Sequence, residues 1–175
     1  MRNGVLSVTM DKTHESLYGN YQCDCKELHR KSLHHVFKTD VAKITFECDT
    51  SDYNTMISTL YALLNAISKD LNIERRDIKA VLSQKMKNDT KQYSIIIYDA
   101  VPGGAGHSRR LVTKDGKMLY GIFTSALNNM KECDCEPSCY KCLRSYENQK
   151  IHDKLDRKLA ENFLSQFVGD VETLE

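Results

Sequence analysis

Apolar residues recur at intervals of three and four between Tyr53 and Leu71: Tyr53, Met56, Ile57, Leu60, Leu64, Ile67 and Leu71. That spacing places them on one stripe of an amphipathic helix, which Tyr61 and Leu63 widen, and Ser51 or Asp52 stands ready to cap its start. A second stripe, from Leu119 through Ile122, Phe123, Ala126 and Leu127 to Met130, predicts a helix over 117–130. A third runs from Leu155 through Leu159, Phe163, Leu164, Phe167 and Val168 to Gly169, with Asp153 as its expected cap. Two segments follow strand patterns instead. Thr39–Glu47 alternates, with Ala42, Ile44 and Phe46 on one face. Tyr93–Tyr98 is an unbroken β-branched and aromatic run, the pattern of a strand buried on both faces at a sheet centre. Ile78–Leu82 predicts a short strand and Lys85–Lys91 a polar turn around Asn88-Asp89, while Glu74–Asp77 is charged and expected to be exposed. The expected fold is therefore one α/β domain: a mixed sheet covered by amphipathic helices.

The regions outside 39–169 lack this organisation. Residues 1–38 are polar and histidine-rich, with one short apolar stretch, Val5–Met10, and read as an extension; 170–175 read as a frayed tail. Across 175 residues, Lys+Arg 25 against Asp+Glu 24 leaves a formal net charge of +1, so no global basic field points to nucleic acid. No apolar run approaches the ~20 residues that span a bilayer, and no export signal is recognisable. Seven clustered cysteines then favour metal ligation in a reducing, cytoplasmic setting over a secreted disulfide framework.

Cys133-Asp-Cys135-Glu-Pro-Ser-Cys139-Tyr-Lys-Cys142 packs four thiols into ten residues. Four soft ligands around a turn suit a closed tetrahedral Zn²⁺ site, with no position left for chemistry; cross-paired disulfides or free thiols are the alternatives. Cys23 and Cys25, with His29, His34, His35 and Cys48 within reach in sequence, form a weaker candidate second site; scattered loop residues are the alternative there. The strand 93–98 ends in Asp99-Ala-Val-Pro-Gly103-Gly104-Ala-Gly106-His107, followed by Arg109 and Arg110. A glycine-rich turn running into a helix can offer backbone N–H groups to an anion, or simply make a tight corner. Its spacing is neither the phosphate loop of nucleotide hydrolases nor a dinucleotide fingerprint. Asp99, His107 and His152 would be the acid–base groups if this turn were a phosphodiesterase or nuclease site.

Taken together, YDAVPGGAGH, CDCEPSCYKCL, SYENQ, HDKLDR and the TDV at Thr39–Val41 resemble the C-terminal zinc-binding domain of mitomycin-repair-factor-type superfamily-two DNA helicases. A similar domain occurs in helicase-partner proteins of antiphage systems such as DISARM. The likeness covers Val36–Phe167 and implies that Cys133, Cys135, Cys139 and Cys142 hold Zn²⁺. Cys23 and Cys25 depart from the family's usual pair, which has two intervening residues. The resemblance implies a non-catalytic module working with a DNA helicase subunit, or with helicase domains of the same parent protein, in DNA repair or antiviral defence. No Walker A loop is present, so the chain is not a complete helicase motor. Gly103, Gly104, His107, Arg109, Arg110, Lys141 and Arg144 are the candidate contacts to DNA or to a partner. If the helix after Gly104 ran back beside the knuckle, Arg109, Arg110, Lys141, Arg144 and Lys150 would form one basic strip.

Overall fold

The computed structural model describes residues 36–169 and, ahead of them, two short strands, β1 (Glu15–Ser16) and β2 (Gly19–Gln22), paired antiparallel. The chain divides into two compact units, Met1–Phe37 and Lys38–Glu175. The stretch Val5–Met10 and the candidate second metal pair Cys23 and Cys25, with His29, His34 and His35, lie outside the described residues, as does the 170–175 tail.

The second unit is built on three strands: β3 (Val41–Ile44), β4 (Ile78–Lys87) and β5 (Thr90–Asp99), in the order β3-β5-β4. The α/β class is as expected, but the sheet is wholly antiparallel rather than mixed, with Val41 opposite Tyr98 and Ile78 opposite Asp99. The reason lies in the segment read as a polar turn. β4 and β5 are joined by only Asn88 and Asp89, at φ 49° and 60°, and their ladder runs to Lys87–Thr90. Two consecutive residues at positive φ make the tight hairpin turn whose twist matches that of antiparallel strands.

The hairpin makes β5 the central strand, as its apolar run implied. Its two faces nevertheless differ. Ile95 and Ile97 are fully buried and join Ala42, Ile78 and the helices in one core. Ile96 and Tyr98 are half-buried, and beside them Val41 and Val81 stand 55% and 46% exposed. The run Ile95–Tyr98 is apolar throughout although only one of its faces meets the core.

Helix α1 (Tyr53–Asp70) starts where Asp52 accepts hydrogen bonds from the Thr55 N–H and hydroxyl, at 2.7 and 2.5 Å. It buries the expected stripe, with Met56, Leu60, Leu63, Leu64 and Ile67 at or near zero exposure. Truncating one of these, as in Leu60→Ala, should cost roughly 2–5 kcal/mol. The helix ends at Asn72 in the left-handed region, where the Ile73 N–H returns to the Ser68 carbonyl. Arg75, expected on the surface, is half-buried: it donates to the Asn65 side chain and the Ile78 carbonyl and lies over the Tyr61 ring.

After the five-residue α2 (His107–Leu111), helix α3 (Lys117–Lys131) packs on α1 and delivers the chain to Cys133. A 3₁₀ segment, Tyr146–Lys154, then leads to α4 (Arg157–Leu164). The cap of α4 is Asp156, which accepts from the Lys158 and Leu159 N–H groups, and not Asp153. Phe46 closes the core, contacting Phe123, Phe163 and Phe167 at ring separations of 5.0–6.3 Å. Among the described residues no helix is long and apolar enough to cross a membrane.

Candidate metal centre

The sulfurs of Cys133, Cys135, Cys139 and Cys142 all lie within 4.8 Å of one another. The shorter separations run from 3.3 Å (Cys133–Cys135) to 3.8 Å (Cys139–Cys142). A tetrahedral ion with Zn–S bonds near 2.3 Å sets its sulfurs about 3.8 Å apart, so the cluster has the size of a closed four-thiolate site. A disulfide needs about 2.05 Å, and all four cysteines are free. The cluster precedes the last helix, as the sequence implied.

The thiols are not equivalent. Burial pushes Cys135 and Cys142 up. Burial acts the same way on Cys139, but backbone N–H groups of Lys141 and Cys142 outweigh it and bring that thiol down to about 6. A cation placed among the four would draw off the remaining protons, since coordinating thiols ionise. The donor set therefore fits Zn²⁺.

Local structure explains why the loop takes this shape. The Cys139 carbonyl receives the N–H groups of Cys142, Leu143 and Arg144, winding the chain tightly between the last two thiols. The Glu136–Pro137 peptide is cis. Arg157 then fastens the loop from the far side. Its guanidinium donates to the Met130 carbonyl at the end of α3 (2.8 Å), to the Cys135 carbonyl (3.1 Å) and to Glu161 (2.9 Å), and its N–H reaches the Pro137 carbonyl. Asn65 of α1 donates to the Cys142 carbonyl. Asn148 is a second bracket: it donates to the Leu143 carbonyl while its Oδ1 accepts from the Ser145 N–H and faces His152 Nε2. The sequence motifs contained Arg157 and Asn148 without revealing these roles.

The glycine-rich turn is filled in a different way. Asp99 is fully buried, and its carboxylate accepts from the N–H groups of Ala105 (2.7 Å), His107 (3.1 Å) and Ser108 (2.8 Å) and from the Ser108 hydroxyl (2.6 Å). Burial raises its pKa, but the Ser108 bonds, then those from Ala105 and His107, outweigh this and leave it lowered. The anion at the start of α2 is thus the chain's own. Gly104, at φ +77°, lies so near Asp40 that a β-carbon would sit 2.8 Å from its carboxylate and 2.9 Å from its backbone nitrogen. Gly103 donates to the Lys38 carbonyl.

This occupancy commits the Asp99 carboxylate to holding the turn. Asp99 is saturated by donors, and His107 Nδ1 is buried with no hydrogen-bond partner among the described residues. His152 belongs to the knuckle: its Nε2 faces the Ser145 carbonyl and Asn148 Oδ1, and its ring meets Tyr140 edge-on. The candidate contact residues also separate. Exposed Arg109 pairs with Asp40 and Arg110 is exposed, both just before α3, whereas exposed Lys141 and half-buried Arg144, bonded to Ser138, follow it. Arg109 and Arg110 lie in α2 and Lys141 and Arg144 follow α3, so the 15-residue helix stands between the two groups in the chain.

A helical layer over one sheet face, with its last helix fastened to a closed four-thiol loop, defines a structural zinc-binding domain of α/β type. Comparison with known proteins gives the same class. Residues 59–143, which include all four thiols, match the family described as the MrfA Zn-binding domain. The Druantia protein DruE of Escherichia coli (strain UMEA 4076-1) is 34% identical over 79 residues, 45% of this chain and 4% of that protein. Among solved structures, the DUF1998 helicase MrfA bound to DNA superposes with a TM-score of 0.56 at 18% identity, covering 88% of this chain and 20% of the helicase. At that identity the likeness is one of fold. The chain spans a small part of the length of the relatives it matches. The resemblance to the zinc-binding domain of these helicases is borne out, and Zn²⁺ is the cofactor that the family and the donor set specify.

Proposed function

We propose that the chain acts as the zinc-holding module of a helicase assembly, or of a larger helicase-type protein, and helps it engage DNA or a partner subunit. Cys133, Cys135, Cys139 and Cys142 hold one Zn²⁺, whose closed coordination makes it a structural element and leaves no site for substrate. The observation that carries this reading is the mutual 4.8 Å approach of the four sulfurs, inside a segment that matches a zinc-binding family. DNA repair and antiphage defence are the settings in which such a module would serve. The DNA contact is supported by the fold shared with a helicase bound to DNA.

The test takes the purified, reduced chain through elemental analysis and an oligonucleotide-binding titration by fluorescence anisotropy. About one tightly held Zn²⁺ per chain is expected, with weak, salt-sensitive binding of DNA. Protein free of zinc after preparation without chelators would overturn the metal assignment. Zinc-loaded protein that ignores DNA at low salt would leave partner-subunit docking as the role.

A further inference from the structure

The knuckle is the obvious place to seek a nucleic-acid contact, yet its charge is balanced. Residues 131–154 carry five basic and five acidic side chains. The sheet differs. Between Ile78 and Tyr98 there are four lysines and one acid, Asp89 at the hairpin tip. Strand register sorts them further. Ile95 and Ile97 point into the core, so their neighbours Ile96 and Tyr98 point away from it, together with their cross-strand partners. Those partners include Lys43 on β3 and Lys79 and Val81 on β4, and the same face continues through Lys85 and Lys87. All four of these lysines are exposed, and none makes an ion pair among the described residues. No strand residue on this face carries a carboxylate, and the one carboxylate that reaches it among the described residues, Asp49, is bonded to the Gln92 amide opposite Lys85. In a chain of net charge +1, this face has a local excess of positive charge.

We infer that this outward sheet face, with Lys43, Lys79, Lys85 and Lys87 around Tyr98 and Val81, is where the chain holds single-stranded nucleic acid. The inference rests on the DNA contact proposed above and assigns its surface. Lys79 to Lys87 forms a row about 27 Å long at the rise of a strand, long enough to follow several phosphates. Tyr98, half-buried on the central strand opposite Lys79 at one end of this row, offers a ring for an unpaired base to stack on, and Val81 adds an apolar floor. An antiparallel sheet with helices behind and an open face in front is a recurring platform for unpaired bases; a duplex keeps its base faces stacked away from such a ring. Protein-docking surfaces, in contrast, are depleted of lysine at their centres.

The test compares the full chain with three variants: Lys79→Gln/Lys85→Gln/Lys87→Gln, Tyr98→Leu, and Lys141→Gln/Lys150→Gln at the knuckle. Each is titrated with a labelled fifteen-nucleotide oligo-dT and with a matched duplex across a salt series. Zinc content and melting temperature check that each variant is folded. The sheet triple variant should lose at least tenfold in oligo-dT affinity, and its slope of log affinity against log salt should flatten by about 2, three contacts at roughly 0.7 each. Tyr98→Leu should weaken oligo-dT binding by about fivefold or more with its salt slope unchanged, and the knuckle variant should bind like wild type. If wild type binds oligo-dT and the triple variant binds equally well, the surface assignment is overturned while the DNA contact stands, and the face belongs to a protein partner. If wild type carries zinc but binds neither oligonucleotide, the DNA contact itself fails and the inference falls with it.

Discussion

Two tight turns, one leading into α2 and one following α3, each gather groups of one polarity into a small volume. At Asp99–Ser108 the gathered groups are donors: three backbone N–H groups and a hydroxyl. The strand that enters the turn supplies their partner, the Asp99 carboxylate. At Cys133–Cys142 the gathered groups are four sulfurs, donors for a metal ion rather than for a group of the protein. The first turn is complete when the backbone folds. The second is complete only with a guest, so its stability should follow metal supply and fall on chelation. The glycines therefore mark a structural corner and the cysteines a dependence on the surroundings.

The strongest way to break this contrast is to remove a sulfur. Cys139→Ser should reduce zinc from about one per chain to near zero and unfold residues 133–145, since small zinc modules draw ~10–16 kcal/mol of apparent binding energy from the metal. Elemental analysis and amide exchange over 130–157 check it. Asp99→Ala probes the opposite turn. It orphans several donors at 1–3 kcal/mol each, so a loss of roughly 3–5 kcal/mol is expected in urea unfolding, with zinc retained if the two turns are independent.

Acid should act through the same carboxylate. Asp99 has a lowered pKa, so its contribution is fully present above the ordinary carboxylate value of 3.8 and is lost as pH falls through the lower folded value. Unfolding curves below pH 4 should be steeper for wild type than for Asp99→Asn. Gly104→Ala comes next. It places a β-carbon against Asp40 at positive φ and should cost about 1–3 kcal/mol. The smallest effect belongs to Arg109→Ala, which breaks an exposed ion pair with Asp40 and should cost under ~1 kcal/mol; a larger loss would mean that the turn leans on its surface charges as well as on Asp99.

What could be read in the sequence follows from how local each signal was. The stripe from Tyr53 to Leu71 and the cap at Asp52 are within-helix features, and α1 matches them closely. The four cysteines lie so near one another in the chain that few arrangements of their sulfurs exist. The hairpin was concealed because residues 84–91 are exposed on both sides and so show no alternation. β5 misled in the opposite sense: its outward Ile96 and Tyr98 are as apolar as the inward Ile95 and Ile97. Sheet direction depended on that hidden two-residue turn. The part of Arg157 depended on carbonyls of residues 130 and 135, well before it in the chain, which no spacing rule anticipates.

Asp40 and Gly104 have a further consequence for how such sequences can diverge. The backbone nitrogen and the carboxylate of Asp40 fill the space where any side chain at 104 would begin, and the Asp40 carbonyl also receives the Asp99 N–H. A change at 104 is tolerable only if the chain at 40 withdraws, and withdrawal there disturbs the strand end that carries Asp99. A side chain at 104 is therefore expected in a related sequence only together with a change at 40, although the two positions lie far apart in the chain.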